Sequence, residues 1–372
     1  MTEETIATLC SGGEGVGVGA RAAGLKHIWG IEIRDDVAQV ARDNGFNVIT
    51  ADMRDVDPHT LEVPDRLHLS LPCLDASGAN GKRIESAAGK ELGRVGARYI
   101  EVLRPRVVTL ENVYYYRTYE AFKTITATLT KLGYMWHFVH LCAADYGVPQ
   151  ERWRLILRAV RGSLLPMLPE SEPWRGWYSS IEDLVETLPE SKFAPWQMAR
   201  LPEALKRTVL VAQGGYEGRI SMRGENEPAL TVTANQNQLE LRAFIVNTRE
   251  ARRDNLTIRT DGEPVFTIPS GSCHYPKAVI ISGSNASNFG ANELTMRDQD
   301  EPVFTVTAST TKAPMRSIMS GRVVRMTLRA LSRFQSVPDE YKLPERRRLA
   351  GYVIGNMVPP LMYQKISETF AT

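Results

Sequence analysis

The sequence predicts an α/β protein whose core is a doubly wound, mostly parallel β-sheet. Apolar runs of the length of buried strands alternate with helical stretches through residues 1–160, a pattern typical of a parallel sheet with helices on both faces. The first run leads into a glycine-rich loop, a helix, a second run and an acidic residue, which is the order found in nucleotide-binding folds. A proline–cysteine pair follows a later apolar run.

The glycine-rich loop of residues 11–19 is the first candidate ligand site. Glycines allow a ligand to approach the backbone closely. Glu32 stands 20 residues after Gly12, where an acid at the end of the second strand binds ribose hydroxyls. Asp52 follows the third predicted strand in a similar way. The elements predicted here are strands over 5–10, 27–33 and 46–50 and a helix over 20–25.

The pair Pro72-Cys73 is the second candidate site. Residues 67–71 predict a buried parallel strand, and the proline after it cannot extend the ladder and fixes the backbone. A thiol held at this strand end faces whatever binds above the sheet, so Cys73 is the candidate nucleophile. The alternative is a buried cysteine that acts as a small hydrophobe. Residues 74–92 are rich in Gly, Ala and Ser, which predicts a mobile segment.

A third candidate site follows the buried strand predicted over 106–110, which delivers Glu111 and Asn112 at its carboxyl end. A carboxyl group in this place suits acid–base chemistry. Arg152 and Arg154 lead into a further predicted strand, and the alternative for both is an ion pair with a neighbouring acid. The remaining predicted elements are helices over 118–132, 328–335 and 344–352, a strand over 134–141 and a last helix ending at residue 370.

Residues 161–322 contain an internal repeat. The pattern Glu-Pro-apolar-apolar-Thr begins at Glu227, Glu263 and Glu301, so its copies stand 36 and 38 residues apart. Each copy follows an apolar run and an arginine, and the three units predict one β-rich module. Short polar side chains at the strand ends suit hydrogen bonds to base edges. The alternative is a structural β domain with ordinary polar loops.

Charge and composition limit the possible partners. The net charge of the 372 residues is +2, but residues 316–348 contain nine basic and three acidic side chains. Such a segment suits a polyanion, and a solvated, salt-bridged helix face is the alternative. The four cysteines lack the spacing of metal or redox motifs, so we expect a reducing compartment and no metal. His140 and Cys142 have a spacing that metal ligands can also have, but an alternating strand explains it as well. Without a signal region or a membrane-length apolar run, the sequence predicts a cytoplasmic protein.

Taken together, these motifs resemble those of the DNA (cytosine-5) methyltransferases in their compact bacterial or phage form. They occur in the family's order over about residues 5–361. The matching stretches are the loop from Leu9 to Gly24, Pro72-Cys73 with Ser77, Glu111-Asn112-Val113, Gln150 with Arg152 and Arg154, the region 325–341 and Gly355-Asn356-Met357-Val358-Pro359-Pro360. The departures from the family pattern are Glu14 for a glycine, Leu71 for a proline, Leu74 for a glutamine and Ala330 for a glutamate.

The resemblance implies a methyltransferase fold that binds S-adenosylmethionine and releases S-adenosylhomocysteine. The catalytic domain would be discontinuous, over 1–160 and 323–372, and an inserted β-rich target-recognition domain would cover 161–322. Glu32 would bind the ribose hydroxyls and Asp52 the adenine amino group. The cofactor residues implied by the family are Cys10, Ser11, Gly12, Gly13, Gly15, Glu32, Ile33, Asp52, Met53, Pro72, Asn356 and Val358.

The reaction implied by the family is methylation of carbon 5 of a cytosine flipped out of duplex DNA. The Cys73 thiolate would add to carbon 6 while Glu111 assists at ring nitrogen 3, which makes carbon 5 nucleophilic. Asn112 would support this geometry, and Arg152 and Arg154 would hold the flipped nucleotide. The residues expected to contact DNA are Ser77, Lys82, Arg83, Gln150, Asn235, Gln236, Ser272 and Thr310.

The expected partner is double-stranded DNA, with a cognate restriction endonuclease as a further candidate and a monomer as the expected state.

Three other classes of protein fit the sequence less well. The length of the insertion argues against an RNA cytosine methyltransferase, and the intact reacting residues argue against a catalytically silent DNA-binding regulator. In a nicotinamide enzyme on the same fold, Cys73 and Glu111 would have no role.

Overall fold

The computed structural model describes residues 3–72, 84–189 and 326–371, together with the backbone of short stretches between 220 and 325. The strands of the first part are β1 (Thr5–Leu9), β2 (Lys26–Glu32), β3 (Val48–Thr50), β4 (Arg66–Leu69), β5 (Val107–Asn112), β6 (Tyr134–Cys142), β7 (Gln150–Glu151) and β8 (Trp153–Arg161). The helices are α1 (Gly15–Ala22), α2 (Asp35–Asp43), α3 (Ala87–Leu103), α4 (Glu120–Lys131), α5 (Leu328–Phe334), α6 (Arg347–Asn356) and α7 (Pro360–Glu368).

Seven of these strands form one sheet in the order β3-β2-β1-β4-β5-β8-β6. Neighbours from β3 to β5 are parallel, whereas β8 runs antiparallel between β5 and β6. The predicted mostly parallel α/β sheet is therefore confirmed. Because β1 lies between β2 and β4, the chain turns in opposite directions after β1 and β4, and ligands bind at the carboxyl edge of such a switch point.

Two apolar layers cover the two faces of this sheet. On one face, Tyr99 of α3 and Ile125 of α4 pack against sheet residues such as Leu67, and all three side chains are fully buried. On the other face, Val16 of α1 and Met362 of α7 pack against Ile6. Burial of apolar surface stabilises the packing on each face by about 25 cal/mol per Å². The sheet held in this way places the loops that follow its parallel strands at one edge.

Between residues 190 and 325 the structure describes seven short strands: β9 (Ile220–Ser221), β10 (Leu241–Arg242), β11 (Ala278–Gly283), β12 (Leu294–Asp298), β13 (Val303–Phe304), β14 (Arg316–Met319) and β15 (Arg322–Arg325). The strand β11 contains the apolar run expected before the third repeat. In that third copy, β13 pairs in parallel with β7, which precedes β8 of the large sheet. The first two copies, at 227–234 and 263–270, lie outside the described residues.

The segment after β8 packs onto the helices near the end of the chain. Trp177 and Phe334 are fully buried and meet edge to face with ring centroids 6.2 Å apart. The guanidinium of Arg333 forms ion pairs with Asp183 and Asp339, both at 2.5 Å. Residues 177–188 and α5 thus form one small apolar cluster closed by charges, although they are far apart in the sequence.

Several element boundaries differ from the sequence prediction. Helix α1 begins at Gly15, not at residue 20, because its glycines allow close packing: a Cβ on Gly19 would lie 2.3 Å from the carbonyl oxygen of Pro360. Helix α3 takes residues 87–92 from the predicted mobile segment, and the Ser86 hydroxyl caps it by accepting from Gly89 N. Helix α2 was not predicted, and α6 extends beyond its predicted end to Asn356.

Candidate active site

The carboxylate of Glu32 is held beside the glycine-rich loop. Its Oε2 accepts from Gly12 N at 3.0 Å and its Oε1 accepts from Arg34 N at 2.9 Å. The side chain is only 8% exposed. A carboxylate has about four acceptor positions, so both oxygens of Glu32 retain capacity for hydroxyl donors.

Residues from the end of the chain press against the same loop. A Cβ on Gly15 would lie 2.3 Å from the carbonyl oxygen of Val358, which leaves room for glycine alone. The Tyr341 hydroxyl donates to the carbonyl of Gly13 at 2.6 Å, and burial raises the pKa of Tyr341. The loop after β1 and the segment after α6 therefore build one wall together, with Asn356 exposed beside them.

Glu14 occupies the loop in a left-handed conformation, with φ +59°, the region that glycine adopts most readily. Its side chain is fully buried. The Thr8 hydroxyl donates to its Oε1 at 2.6 Å, and His27 Nε2 lies 3.0 Å from the same oxygen. These contacts compensate for the backbone strain and explain how a residue other than glycine fits this position.

The neighbouring side chains place apolar and polar groups beside Glu32. Ile33 is 62% exposed directly after Glu32. Asp52 forms an ion pair with Arg54 at 2.5 Å, and this hydrogen bond lowers the pKa of Asp52. Burial raises the pKa of Cys10 to about 12, and its Sγ lies 3.6 Å from the sulfur of Met53. Cys10 is therefore a protonated thiol, not a nucleophile.

These residues fit a nucleoside cofactor that carries an amino-acid part. The buried Ser11 hydroxyl has no hydrogen-bond partner in the described part of the chain, which leaves it available to a ligand. Glu32 offers acceptors to sugar hydroxyls, and the exposed face of Ile33 suits a planar base. The predicted cofactor residues Glu32, Ile33, Asp52 and Val358 thus lie with the glycine-rich loop along one edge of the sheet. Met53 is buried behind Cys10.

Glu111 and Arg154 form an ion pair at the same edge. Arg154 Nε lies 2.9 Å from Glu111 Oε1, and the two side chains are 13% and 10% exposed, the arginine first. Glu111 is the second-last residue of β5, and its neighbour across the antiparallel ladder is Ile156 of β8. The alternative expected for Arg154 was an ion pair with a neighbouring acid. In the structure Arg154 does form an ion pair, and its partner is Glu111, the predicted catalytic acid.

Asn112 fixes the approach to the Pro-Cys loop. Its side-chain amide donates to the carbonyl of Leu71 at 2.9 Å, and its oxygen accepts from Val113 N. On the other side, Ser70 N donates to the carbonyl of Leu9. The chain entering Pro72 is thus tied to β5 and to β1, and Pro72 itself is exposed at the edge.

A buried polar chain beneath this loop was not predicted. His68 Nδ1 lies 2.8 Å from the Thr109 hydroxyl and Nε2 lies 2.9 Å from the Ser70 hydroxyl. Burial lowers the pKa of His68 to about 3, so the ring stays neutral. The polar residues at alternate positions of β4 were the available signal, since alternate residues share one face of a strand.

Arg152 and Gln150 are placed differently from Arg154. Arg152 is 3% exposed and its Nη1 donates to the carbonyl of Gly355 at 3.2 Å. Gln150 is fully buried and its side-chain amide donates to the carbonyl of Phe334 at 3.4 Å. In this structure both side chains hold the C-terminal helices against the sheet.

The remaining predicted site residues are Cys73, Ser77, Lys82, Arg83, Asn235, Gln236, Ser272 and Thr310, which lie outside the described residues. Within the described ranges, no group of three His, Cys, Asp or Glu side chains is arranged to hold a metal ion. No helix in the same ranges is long and apolar enough to cross a membrane.

The sheet order, the glycine loop and the acid at the end of β2 are typical of a nucleotide-binding fold, and the Glu111–Arg154 pair lies at the same edge of the sheet. The family description "C-5 cytosine-specific DNA methylase" matches residues 5–371. The chain therefore belongs to the C-5 cytosine-specific DNA methylase family, and the resemblance seen in its motifs is confirmed.

Several curated relatives share part of the chain. It is 31% identical over 174 residues to the type II methyltransferase M.NgoMIV of Neisseria gonorrhoeae, covering 45% of this chain and 55% of the relative. It is 29% identical over 268 residues to M.Eco47II of Escherichia coli, covering 62% and 63%. The matches thus span about half of the relatives' length. A solved structure of Entamoeba histolytica methyltransferase EhMeth, 12% identical, has a TM-score of 0.59 over 99% of this chain and 98% of that one, which shows a shared fold.

Proposed function

We propose that this protein is a DNA (cytosine-5) methyltransferase that flips a cytosine out of duplex DNA and methylates its carbon 5. The observation that carries the proposal is the meeting of three features at one edge of the sheet. They are the Glu111–Arg154 ion pair, the Asn112 anchor of the Pro72-Cys73 approach and the Glu32-bound glycine loop. Family membership over residues 5–371 supports the same interpretation.

In the proposed reaction Cys73 supplies the nucleophile. Its thiolate adds to carbon 6 of the flipped cytosine, and Glu111 acts at ring nitrogen 3, so that electron density moves to carbon 5. Once the methyl group is on carbon 5, with S-adenosylhomocysteine as the co-product, loss of the carbon 5 proton to water and departure of the thiolate would restore the ring. Asn112 would help to position Cys73 through its hydrogen bond to the Leu71 carbonyl, two residues earlier, and Arg154 would fix the carboxylate of Glu111.

We propose S-adenosylmethionine as the cofactor, which supplies an electrophilic methyl group when bound. Glu32 would accept from its sugar hydroxyls, Ile33 would cover its base, and Asp52 would accept from the base amino group. The Ser11 hydroxyl and the glycine loop would contact its amino-acid part. Arg152 would act indirectly, because the Gly355 carbonyl that it binds leads into the Asn356–Pro360 segment beside the loop.

The function is tested by measuring tritium transfer from labelled S-adenosylmethionine to duplex DNA and to tRNA. We expect label in DNA at cytosine and none in tRNA. Label in tRNA alone would indicate an RNA methyltransferase on the same fold. Binding of DNA without any transfer would indicate a silent regulator, and either result would contradict the proposal.

Replacing Glu32 by alanine is expected to weaken S-adenosylmethionine binding by about 1–3 kcal/mol, the scale for removal of charge-assisted hydrogen bonds. The effect should exceed that of Glu32→Gln, which keeps one acceptor for Gly12 N. Asp35→Ala is the matched control, since Asp35 lies three residues away with a 79% exposed side chain. Calorimetry that gives the wild-type affinity for Glu32→Ala would rule out the ribose role.

The inserted region, residues 161–322, is proposed as the target-recognition domain. Asn235, Gln236, Ser272 and Thr310 are proposed to read base edges, because base contacts specify sequence while phosphate contacts only position a protein. The loop residues Ser77, Lys82 and Arg83 and the basic stretch 316–348 would contact DNA without sequence preference. Within that stretch Arg333 is an exception, since its ion pairs with Asp183 and Asp339 brace the fold.

Exchanging residues 205–320 for the matching region of a relative of known specificity is expected to transfer that relative's target sequence. Truncating one polar side chain that reads a base should weaken binding of the target sequence by about 1–3 kcal/mol. Sequencing of the methylated product measures the outcome. A hybrid that methylates DNA and keeps the original target would place recognition elsewhere in the chain.

The type II names of the bacterial relatives suggest a restriction–modification setting. We therefore propose a cognate restriction endonuclease as a partner and a DNA-associated monomer in the cytoplasm as the working form.

A further inference from the structure

A stacked column of side chains lies at the carboxyl edge of the sheet, next to the Glu111–Arg154 pair. The guanidinium carbon of Arg117 lies 4.2 Å from the ring centroid of Tyr114. The Tyr114 ring stacks on His140 with centroids 4.1 Å apart and an interplanar angle of 22°. His140 in turn meets the Trp153 ring at 5.0 Å. We call these four residues the edge column.

The topology explains why residues so far apart in sequence meet here. Tyr114 and Arg117 lie in a single 3₁₀ turn directly after β5. His140 is near the carboxyl end of β6, and its ladder neighbour in β8 is Leu155, which also faces Asn112 of β5. The edge column therefore lies on the outer side of the candidate active site, at the same height along the strands.

The edge column is open to solvent at Tyr114 and His140, half-buried at Arg117 and Trp153, and carries the positive charge of Arg117. Tyr114 is 37% exposed, and among the described residues no carboxylate pairs with Arg117. Burial and the charges of Arg117 and Arg154 lower the pKa of His140, so its ring is neutral at pH 7 and acts as an aromatic platform. Other exposed arginines, such as Arg34 and Arg98, pair with acids.

We propose that the edge column binds the sugar–phosphate backbone of duplex DNA beside the flipped cytosine, with Arg117 as the phosphate contact and Tyr114 as its support. An arginine stacked on an aromatic face keeps its N–H edge directed outward, which suits phosphate oxygens. The stack also reduces the side-chain freedom that Arg117 loses on binding. This inference rests on the proposed function, since it assumes a duplex DNA substrate.

The test measures binding of a labelled duplex of mixed sequence to the full chain as salt is raised. Each phosphate contact contributes about 0.9 to the slope of log affinity against log salt, so Arg117→Ala should shrink the rise in Kd between about 50 and 200 mM salt by about 3.5-fold. Arg117→Lys, which keeps the charge, should retain the slope. Tyr114→Ala should weaken binding in the same direction, and its effect should largely vanish in the Arg117→Ala background.

Matched controls are available in the same region. Tyr115 is equally exposed at 37%, and its ring meets Tyr119 edge to face, so Tyr115→Ala should bind as the wild type does. Arg161 lies at the opposite end of β8, and Arg161→Ala should keep the salt slope. S-adenosylmethionine affinity should be unchanged in every variant, which shows that the fold is intact.

An unchanged salt slope and Kd for Arg117→Ala would overturn the proposal, and so would an equal weakening in Tyr115→Ala and Tyr114→Ala. If the wild type methylates duplex DNA while these results are obtained, only the edge column is refuted. A wild type that neither binds nor methylates duplex DNA would refute the proposed function together with this inference.

Discussion

Replacing Cys73 by serine is expected to abolish methyl transfer and leave duplex DNA binding largely intact. The proposed step needs a thiolate, and a serine hydroxyl is a far weaker nucleophile unless an adjacent base activates it. DNA that carries 5-fluorocytosine should trap the wild-type protein as a complex stable in denaturant, because fluorine at carbon 5 blocks the proton loss that releases the thiolate. The Cys73→Ser protein should give no such complex.

Cys142→Ser is the matched control for the trapping experiment. Burial raises the pKa of Cys142 and of Cys10 to about 12, so both thiols are protonated at neutral pH and are poor nucleophiles. We therefore expect Cys142→Ser to form the trapped complex as the wild type does. A trapped complex that forms equally well with Cys73→Ser would show that another group is the nucleophile.

The sequence predicted the sheet and the residues at its strand ends because those signals are local. A buried parallel strand reads as a short apolar run, and the chain direction tells which residue comes at its carboxyl end. Glu32, Asp52 and Glu111 were found in this way, and the structure places all three at the expected edge. The bond between Glu32 and Gly12 N follows from the same order of elements.

Contacts between distant segments left no such local signal. Gly15 and Gly19 weaken a helix by intrinsic propensity, so α1 was predicted to begin too late. In the structure these glycines are needed because Val358 and Pro360 approach so closely. A single sequence read by propensity gives no sign of that approach, since its cause lies more than 300 residues away.

The two arginines before β8 show a second limit. Residues 152 and 154 would share one face of a continuous strand, and both arginines were expected to hold the flipped nucleotide. In the structure the ladder is interrupted at Arg152, between β7 and β8. Arg152 is therefore buried against Gly355, while Arg154 reaches Glu111. Before the interruption, β7 pairs with β13 in a separate two-stranded sheet, whereas β8 belongs to the seven-stranded sheet.

The ion pair between Glu111 and Arg154 leads to the second large expected effect. Glu111→Gln should lower kcat by about 10²–10⁴-fold, the range for loss of a general acid, with little change in the DNA concentration needed for half-maximal rate. Arg154→Gln leaves a carboxylate that is nearly buried without its charge partner, which should lower the free energy of unfolding by about 3–5 kcal/mol. The double variant should recover much of that stability but none of the activity, because the acid is still missing.

Glu151→Gln is the control, since Glu151 is also buried and accepts from the Trp153 indole, and we expect it to keep nearly full activity. Urea unfolding and single-turnover tritium transfer on all four variants measure the two effects separately. A Glu111→Gln protein with wild-type kcat would show that the pair only braces β5 against β8.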